Sequence, residues 1–141
     1  MSLVFWDTML FVYLMEEHPE RAARVREIRA TLLARGDVLC TSSLSLAEIL
    51  AGPYAHGDES IAARYKSVLR PPTVDLLDFT PPAADHYARI RANRGIARPD
   101  ALQLACAAAN RVDLFLTHDS RLQGQVVPGI QFIAGLDVNL L

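Results

Sequence analysis

Four acidic residues stand where a chain of alternating strands and helices can bring distant segments together. Asp7 follows the first apolar run of the chain, and Asp119 comes just after the fourth strand-like run. Glu48 lies within a short predicted helix, and Asp100 lies at the start of another. Clustered acids are costly to bury unless a cation neutralises them, and oxygen ligands are those that Mg²⁺ prefers. The four residues therefore indicate divalent-metal chemistry rather than packing.

The elements that must position these acids alternate along the chain. Short β-type runs alternate with helical periodicity, which indicates βαβ units and a parallel sheet. We predict strands at 3–6, 38–41, 74–77, 113–117 and 130–134. We predict helices at 8–17, 19–35, 43–51, 59–69, 81–93 (beginning at either of two prolines) and 99–110. The third helix is expected to close at Gly52–Pro53.

The first and fourth predicted strands are continuously apolar, as expected for strands covered on both faces, so we expect them to be central. Open parallel sheets bind ligands beyond the carboxyl ends of their strands, where the strand order reverses. If these two strands are neighbours there, Asp7 and Asp119 meet in one crevice. Glu48, after the second strand, and Asp100, in the helix that leads to the fourth, would reach that crevice from either side.

Length and composition indicate one domain with a covered surface. A chain of 141 residues suffices for a single core. Hydrophobic residues make up 51% and the mean hydropathy is +0.16, and helix 8–17 is apolar nearly all round, so we expect a partner chain. The longest apolar stretch is too short for a bilayer and follows no basic segment, which predicts a cytoplasmic protein. Cys40 and Cys106 lack metal-type spacing and are predicted to be small buried residues.

A net charge of −2 does not by itself suggest a nucleic-acid partner, but nearly all the basic residues are arginine. The planar guanidinium can donate two hydrogen bonds to one phosphate. Arg89, Arg91, Arg94 and Arg98 precede Asp100 closely. A solvated helix face explains Arg89 and Arg91 equally well, so Arg94 and Arg98 are the better candidates for binding substrate phosphates.

Taken in order, these segments resemble the PIN-domain ribonucleases and, within them, the VapC-like toxins of bacterial toxin–antitoxin pairs. The matching segments are Asp7-Thr8, Ser42-Ser43-Leu44-Ser45-Leu46-Ala47-Glu48, Pro99-Asp100-Ala101 and Thr117-His118-Asp119. They span almost the whole chain in the family's order. This chain departs from many members by having Met9 and His118 where those have asparagine, and neither change removes a carboxylate.

The resemblance implies a fold, a cofactor and partners. The fold would be an α/β, PIN-like (Rossmann-like) three-layer sandwich over residues 1–141, with a central parallel sheet of about five strands in the order 3-2-1-4-5. The activity would be a Mg²⁺- or Mn²⁺-dependent endoribonuclease whose products carry a 5′-phosphate and a 3′-hydroxyl. The protein would act as a toxin restrained by a cognate antitoxin, and it would form a homodimer or a hetero-oligomer with that antitoxin.

The resemblance also assigns roles to individual residues. Asp7, Asp100 and Asp119 would bind the metal directly or through water. Glu48 would be a further ligand or would orient the attacking water. A carboxylate-held Mg²⁺ or Mn²⁺ suits phosphodiester hydrolysis because it both activates water and neutralises the developing charge.

Hydroxyl and imidazole groups beside the acids have two interpretations. Thr8, Thr117, Ser42 and Ser43 could orient a carboxylate or a water molecule, or they could serve as ordinary strand-end and helix-capping groups. His118 could contact a substrate phosphate, or it could be a surface residue in a turn.

Other interpretations of the acids remain open at this stage. Asp100 could stabilise a helix N-terminus, and Asp119 could cap a turn. Aspartyl-phosphate chemistry is a different enzymatic class, but it requires an acid two positions after the nucleophile, where Met9 stands, or a suitably placed lysine, and Lys66 is far from the last strand. A non-catalytic binding module with this fold and an RNA-processing nuclease without toxin function are the remaining alternatives.

Overall fold

Five parallel strands form the centre of the computed structural model, which describes residues 1–93 and 95–140. The strands are β1 (Leu3–Trp6), β2 (Val38–Ser42), β3 (Asp75–Leu77), β4 (Leu114–Leu116) and β5 (Phe132–Ala134). Their order is β3-β2-β1-β4-β5, which confirms the predicted order. β1 lies between β2 and β4, with Phe5 aligned with Cys40 on one side and Phe115 on the other. β4 in turn lies between β1 and β5, so the first and fourth strands are interior, as predicted.

Helices cover both faces of this sheet. They are α1 (Thr8–Met15), α2 (Ala22–Arg35), α3 (Ser43–Ala55), α4 (Glu59–Val68), α5 (Pro81–Ala92), α6 (Arg98–Ala109) and α7 (Ser120–Gln123). One hydrophobic core joins the sheet to α5 and α6, and the other joins it to α1, α2 and α4. The predicted three-layer α/β sandwich is therefore confirmed.

The alternation of side chains along β1 explains why one short strand serves two cores. Phe5 points to the face of α5 and α6, where it stacks on Phe115 at 4.8 Å between ring centroids and packs with Leu104. Val4 and Trp6 point to the opposite face, against α1 and α2. Successive residues of a strand face opposite sides, so a strand buried on both sides must be apolar throughout. Each large side chain buried in this way contributes roughly 2 kcal/mol to folding.

The first two helices are shorter than predicted. α1 ends two residues early because Glu17 has a φ of 51°, a left-handed conformation that a helix does not continue through. α2 begins three residues late, at Ala22. There the His18 ring accepts the Glu20 N–H in a local turn, and the Ala22 N–H bonds to the His18 carbonyl.

One further prediction of a helix end was wrong, and one short helix was not predicted. α3 continues through Gly52 and Pro53, because the final turn is closed by bonds from the His56 N–H to the carbonyls of both residues. Proline removes one backbone donor, which is tolerable this close to a helix end. α7 was not predicted because four residues show no usable periodicity. It begins where Asp119 accepts the Arg121 N–H at 2.9 Å. The other boundaries differ by one or two residues, the usual uncertainty of helix and strand ends.

Both cysteines are buried, as predicted, and neither forms a disulfide bond. Burial raises the pKa of the Cys40 thiol to about 12 and that of the Cys106 thiol to about 11, so both groups stay protonated at neutral pH. Across the described residues, no helix is both long enough and apolar enough to cross a membrane.

Candidate active site

The carboxyl ends of β1 and β4 hold the Asp7 side chain between them. The Asp7 N–H donates to the Leu116 carbonyl at 2.9 Å, which continues the pairing of the two strands. Asp7 Oδ1 accepts the Thr8 N–H at 2.7 Å and so caps α1. Its Oδ2 accepts the Thr117 hydroxyl at 2.7 Å. Because each oxygen has its own donor, the direction of this carboxylate is set by both segments.

The charge on Asp7 is nevertheless poorly compensated. Burial raises the pKa of its carboxyl above the usual range, and the negative charge of Asp119 adds to the rise. The hydrogen bonds from Thr117 and Thr8 act in the opposite direction. None of these three neighbours carries a positive charge. The environment of Asp7 therefore disfavours the ionised carboxylate, as expected of a group whose charge a bound cation would neutralise.

Glu48 reaches the same region from α3. Its Oε2 accepts the Thr8 hydroxyl at 3.3 Å, and its Oε1 accepts a long hydrogen bond of 3.5 Å from Gln103 Nε2. Burial raises the pKa of the Glu48 carboxyl, the two hydrogen bonds lower it, and the charges of Asp7 and Asp100 raise it further. Although the residue is at an exposed position of its helix, its carboxylate is thus turned toward the other acids.

Asp100 lies in the first turn of α6, where a negative charge favours the helix N-terminus. Burial raises the pKa of its carboxyl, and the charges of Asp7 and Asp119 raise it again. The Arg121 guanidinium has the opposite, weaker effect. Asp100 therefore combines the helix-stabilising role considered above with a place in the acidic cluster.

Among the ion pairs within residues 1–93 and 95–140, the one that involves an acid of the cluster joins Asp119 to Arg121. Asp119 Oδ2 lies 2.7 Å from Arg121 Nη2, and its Oδ1 lies 3.1 Å from Arg121 Nε. These bonds hold the pKa of the Asp119 carboxyl below its usual range. The Arg121 side chain is 77% exposed, and water screens an ion pair so open to solvent, so the pair contributes little to stability. A more strongly bound cation could displace it.

The charges of Asp7 and Asp100 act on Glu48, and those of Asp7 and Asp119 act on Asp100, but the four acids are not arranged as a finished metal site. Within residues 1–93 and 95–140, no three His, Cys, Asp or Glu side chains are placed to hold a metal ion. The donor set still fits a hard divalent cation, because three of the four carboxyls have raised pKa values that a cation would relieve. Mg²⁺ commonly uses only one or two protein carboxylates and keeps several water molecules.

The predicted supporting hydroxyls divide into two groups. Thr117 bonds to Asp7, and Thr8 bonds to Glu48, so both contact an acid of the cluster. Ser43 instead makes two long contacts of 3.4 Å at the end of β3, to the Leu77 carbonyl and the Asp78 carboxylate. These contacts do not involve the four acids, so the supporting role of Ser43 stays a prediction.

The predicted phosphate-binding side chains are also placed unequally. Arg98 is exposed at the start of α6, two residues before Asp100. The His118 ring is partly buried and meets the Tyr13 ring edge-on, with centroids 5.6 Å apart. Arg94 lies outside the described residues. Contact of these residues with a substrate stays a prediction.

Arg89 and Arg91, for which a solvated helix face was the alternative to phosphate binding, both bond to groups outside the acidic cluster. Arg89 pairs with Asp85 on an exposed helix face, and Arg91 donates to the Ile96 carbonyl at 2.7 Å.

Sequence reasoning missed two residues that contact the acids. Gln103 is 3% exposed and bonds to Glu48, and Arg121 pairs with Asp119. A polar residue inside the apolar stretch of α6, one turn after Asp100, was the available signal for Gln103. Arg121 offered only its proximity in sequence to Asp119.

Comparison with known proteins shows similarity over most of the chain. A family model described as "PIN domain" matches residues 4–125. No curated protein sequence matches this chain.

Solved structures provide a second comparison. A chain of the DNA-bound VapBC from Salmonella typhimurium superposes with a TM-score of 0.75 at 22% identity, covering 96% of this chain and 99% of that one. A chain of VapBC2 from Rickettsia felis, bound to a DNA fragment from its promoter, gives 0.73 at 20% identity, covering 94% and 98%. VapBC-5 from Mycobacterium tuberculosis gives 0.60 at 21% identity, covering 94% and 98%. At such identities the likeness shows the fold.

Proposed function

The chain belongs to the PIN domain family, and from that premise we propose that it is a Mg²⁺- or Mn²⁺-dependent endoribonuclease. The observation that carries the proposal is the convergence of Asp7, Glu48, Asp100 and Asp119 at the carboxyl ends of the central strands. Three of these carboxyls have raised pKa values, and the fourth, Asp119, is paired with the exposed Arg121. A cluster of this kind favours binding of a hard cation.

Each acid has a distinct part in this proposal. Asp7, Asp100 and Asp119 would hold the cation, directly or through water. When bound, the cation supplies positive charge against the scissile phosphate and lowers the pKa of coordinated water. Glu48 would be a further ligand or would accept a hydrogen bond from the attacking water and orient it.

The remaining side chains hold these acids in place. Thr117 fixes the direction of Asp7, and Thr8 connects Asp7 to Glu48 because its N–H bonds to the first and its hydroxyl to the second. In the proposed hydrolysis the water oxygen attacks phosphorus while the bond to the 3′-oxygen breaks. The products are a 5′-phosphate and a 3′-hydroxyl.

RNA cleavage by the purified protein is the direct test. We expect 3′-labelled RNA that begins with a 5′-hydroxyl to be cut in Mg²⁺ or Mn²⁺, with labelled products that a 5′-monophosphate-dependent exonuclease degrades. EDTA should abolish cleavage, and Asp7→Asn should reduce the rate by roughly 100-fold or more. Asp85→Asn is the matched control, because Asp85 is an exposed acid on α5, where it pairs with Arg89 of the same helix. Cleavage at the wild-type rate in EDTA or by Asp7→Asn would refute the metal mechanism.

We further propose that this nuclease is the cytoplasmic toxin of a toxin–antitoxin pair. The proposal is supported by the fold it shares with chains of the VapBC complexes of Salmonella typhimurium and Rickettsia felis. An antitoxin would cover apolar surface, and copies of the chain would associate as a homodimer or within a hetero-oligomer. Met9, in the first turn of α1 and two residues after Asp7, is 44% exposed and is one candidate for a covered residue.

Expression in a bacterial host tests the toxin proposal. Wild-type protein should arrest growth, Asp7→Asn should not, and co-expression of a small DNA-binding protein encoded beside the gene should restore growth. Unimpaired growth at confirmed expression of an active nuclease would favour an RNA-processing role instead. Light scattering of the purified chain at high concentration would contradict the homodimer if it showed only monomer.

A further inference from the structure

A buried polar cluster adjoins Glu48 and includes Gln103. Its members are Thr41, Ser42, Ser45 and Gln103, each at most 3% exposed. Gln103 Oε1 accepts the Ser42 hydroxyl at 2.5 Å and the Ser45 hydroxyl at 3.0 Å. The cluster therefore joins the end of β2 and the start of α3 to the middle of α6.

The available protons determine which way the Gln103 amide faces. The Ser42 hydroxyl accepts the Ser45 N–H at 3.1 Å, which leaves its own proton for Gln103. The Thr41 hydroxyl lies 2.8 Å from both the Trp6 carbonyl and the Ser45 hydroxyl. When Thr41 donates to Ser45, the Ser45 proton is left for Gln103 Oε1, 3.0 Å away. Two hydroxyl donors thus occupy the acceptor sites of Gln103 Oε1, and Nε2 points away from them.

The freed Nε2 faces Glu48. It donates to Glu48 Oε1 at 3.5 Å, while the Thr8 hydroxyl donates to Oε2 at 3.3 Å. Glu48 stands at an exposed position of α3, where a glutamate without such partners would sample several rotamers. Donors from α6 and α1 therefore restrict its carboxylate from two sides.

Gln103 also shares a helix face with Asp100, because residues three apart lie on the same side of a helix. α6 therefore carries both Asp100, an acid of the cluster, and Gln103, whose amide bonds to Glu48. We propose that Gln103 is a positioning residue, which directs the Glu48 carboxylate toward the reacting water or cation without touching either. This inference rests on the proposed nuclease function.

A double-mutant cycle separates positioning from a merely structural role. Gln103→Met keeps similar volume and removes the amide, and Glu48→Ala removes the group it acts on. We expect Gln103→Met to lower kcat for RNA by roughly 10- to 100-fold with KM changed less than about 2-fold, as for other residues that orient a ligand. In the Glu48→Ala background the same substitution should lower kcat by no more than about 2-fold. An equal loss in both backgrounds would overturn the proposal.

The side-chain amide of Gln103 offers a readout that requires neither RNA nor stable folding of the Gln103 variant. In ¹⁵N-resolved NMR spectra of the otherwise unchanged chain, Glu48→Ala should shift the Gln103 Nε2–H resonances, whereas Asp85→Asn should leave them in place. Unshifted resonances would overturn the positioning role, and this comparison alone decides if the Glu48→Ala background is too slow for kinetics. If Glu48→Ala shifts these resonances but the wild-type chain does not cleave RNA, only the nuclease function is refuted.

Discussion

Replacing Asp7 with asparagine should stabilise the metal-free protein. Asparagine can keep the local bonds, since its carbonyl can accept the Thr8 N–H and its amide can donate to the Thr117 hydroxyl oxygen. Asparagine is also about as good a helix cap as aspartate. What the substitution removes is a buried negative charge that the charge of Asp119 further disfavours. Relief of such functional strain is typically worth about 1 kcal/mol.

The expected change in melting temperature follows from chain length. Unfolding entropy of about 2.1 cal/mol/K per residue over 141 residues gives about 0.3 kcal/mol per degree. A gain of about 1 kcal/mol therefore raises the Tm by about 3 °C in EDTA. For the wild type, Mg²⁺ or Mn²⁺ at about a hundred times its Kd should add about 2.7 kcal/mol, or about 9 °C. Asp7→Asn should show little of that second shift, because one ligand is lost.

The advantage of Asp7→Asn should depend on pH in a defined direction. The folded-state pKa of Asp7 is raised above the ordinary 3.8, so the folded protein favours the protonated carboxyl. That contribution to stability is fully present below the unfolded-state pKa and is lost as pH rises through the folded-state pKa. The Tm of Asp7→Asn should therefore exceed that of the wild type at neutral pH, and the two Tm values should converge as pH falls toward about 4.

Thermal unfolding followed by circular dichroism, in EDTA and in a Mn²⁺ titration, measures these effects. Asp85→Asn serves as the control that changes one exposed acid without touching the cluster. A lower Tm for Asp7→Asn in EDTA would refute the assignment of an uncompensated charge to Asp7. Equal stabilisation of variant and wild type by Mn²⁺ would refute the assignment of Asp7 as a ligand.

Three further changes test other parts of the structure. Thr117→Val removes the hydroxyl bonds to Asp7 and to the Asp119 N–H, so it should lower kcat for RNA by about 10-fold and the Tm by about 3 °C or more, and an unchanged kcat would contradict the orienting role. Arg121→Gln removes the guanidinium that lowers the pKa of Asp119, so carboxyl ¹³C titration should show that pKa rising toward 3.8, and an unmoved midpoint would show that the pair does not persist in solution. Gly129→Ala should destabilise the fold by more than about 1 kcal/mol in urea denaturation, because Gly129 has a φ of +99° and an added Cβ would lie 2.7 Å from the Ala108 carbonyl oxygen; wild-type stability would contradict this packing.

The sequence predicted the architecture well because the signals for it are local. The run Leu3–Trp6 is apolar at every position, and this alone indicates an interior strand. Asp7 follows that run directly, so its place at the carboxyl edge of the sheet follows from chain connectivity. The order of strands depended on the family resemblance, and the structure confirms it.

The errors occurred where a contact between nearby groups overrides propensity. Gly52–Pro53 predicts a helix end, yet α3 continues because the His56 N–H closes the last turn. The turn after α1 depends on one imidazole nitrogen of His18 that accepts a backbone N–H. α7 is too short for periodicity to reveal and depends on one side-chain cap. Hydrophobic periodicity does not reveal single hydrogen bonds of this kind, so the sequence did not predict them.

The chain by itself therefore determined the strands, the helix faces and the acids that end at one edge of the sheet, because buried runs and chain order specify these. Only the tertiary structure decided how each acid is held and compensated. Asp119 has an arginine partner and Asp7 has none among its bonding neighbours, although both follow strands of the same sheet. Gln103 reaches Ser42 and Glu48 across 61 and 55 positions of sequence. Contacts at such separations form only when the sheet and α6 have packed, since no local preference specifies them.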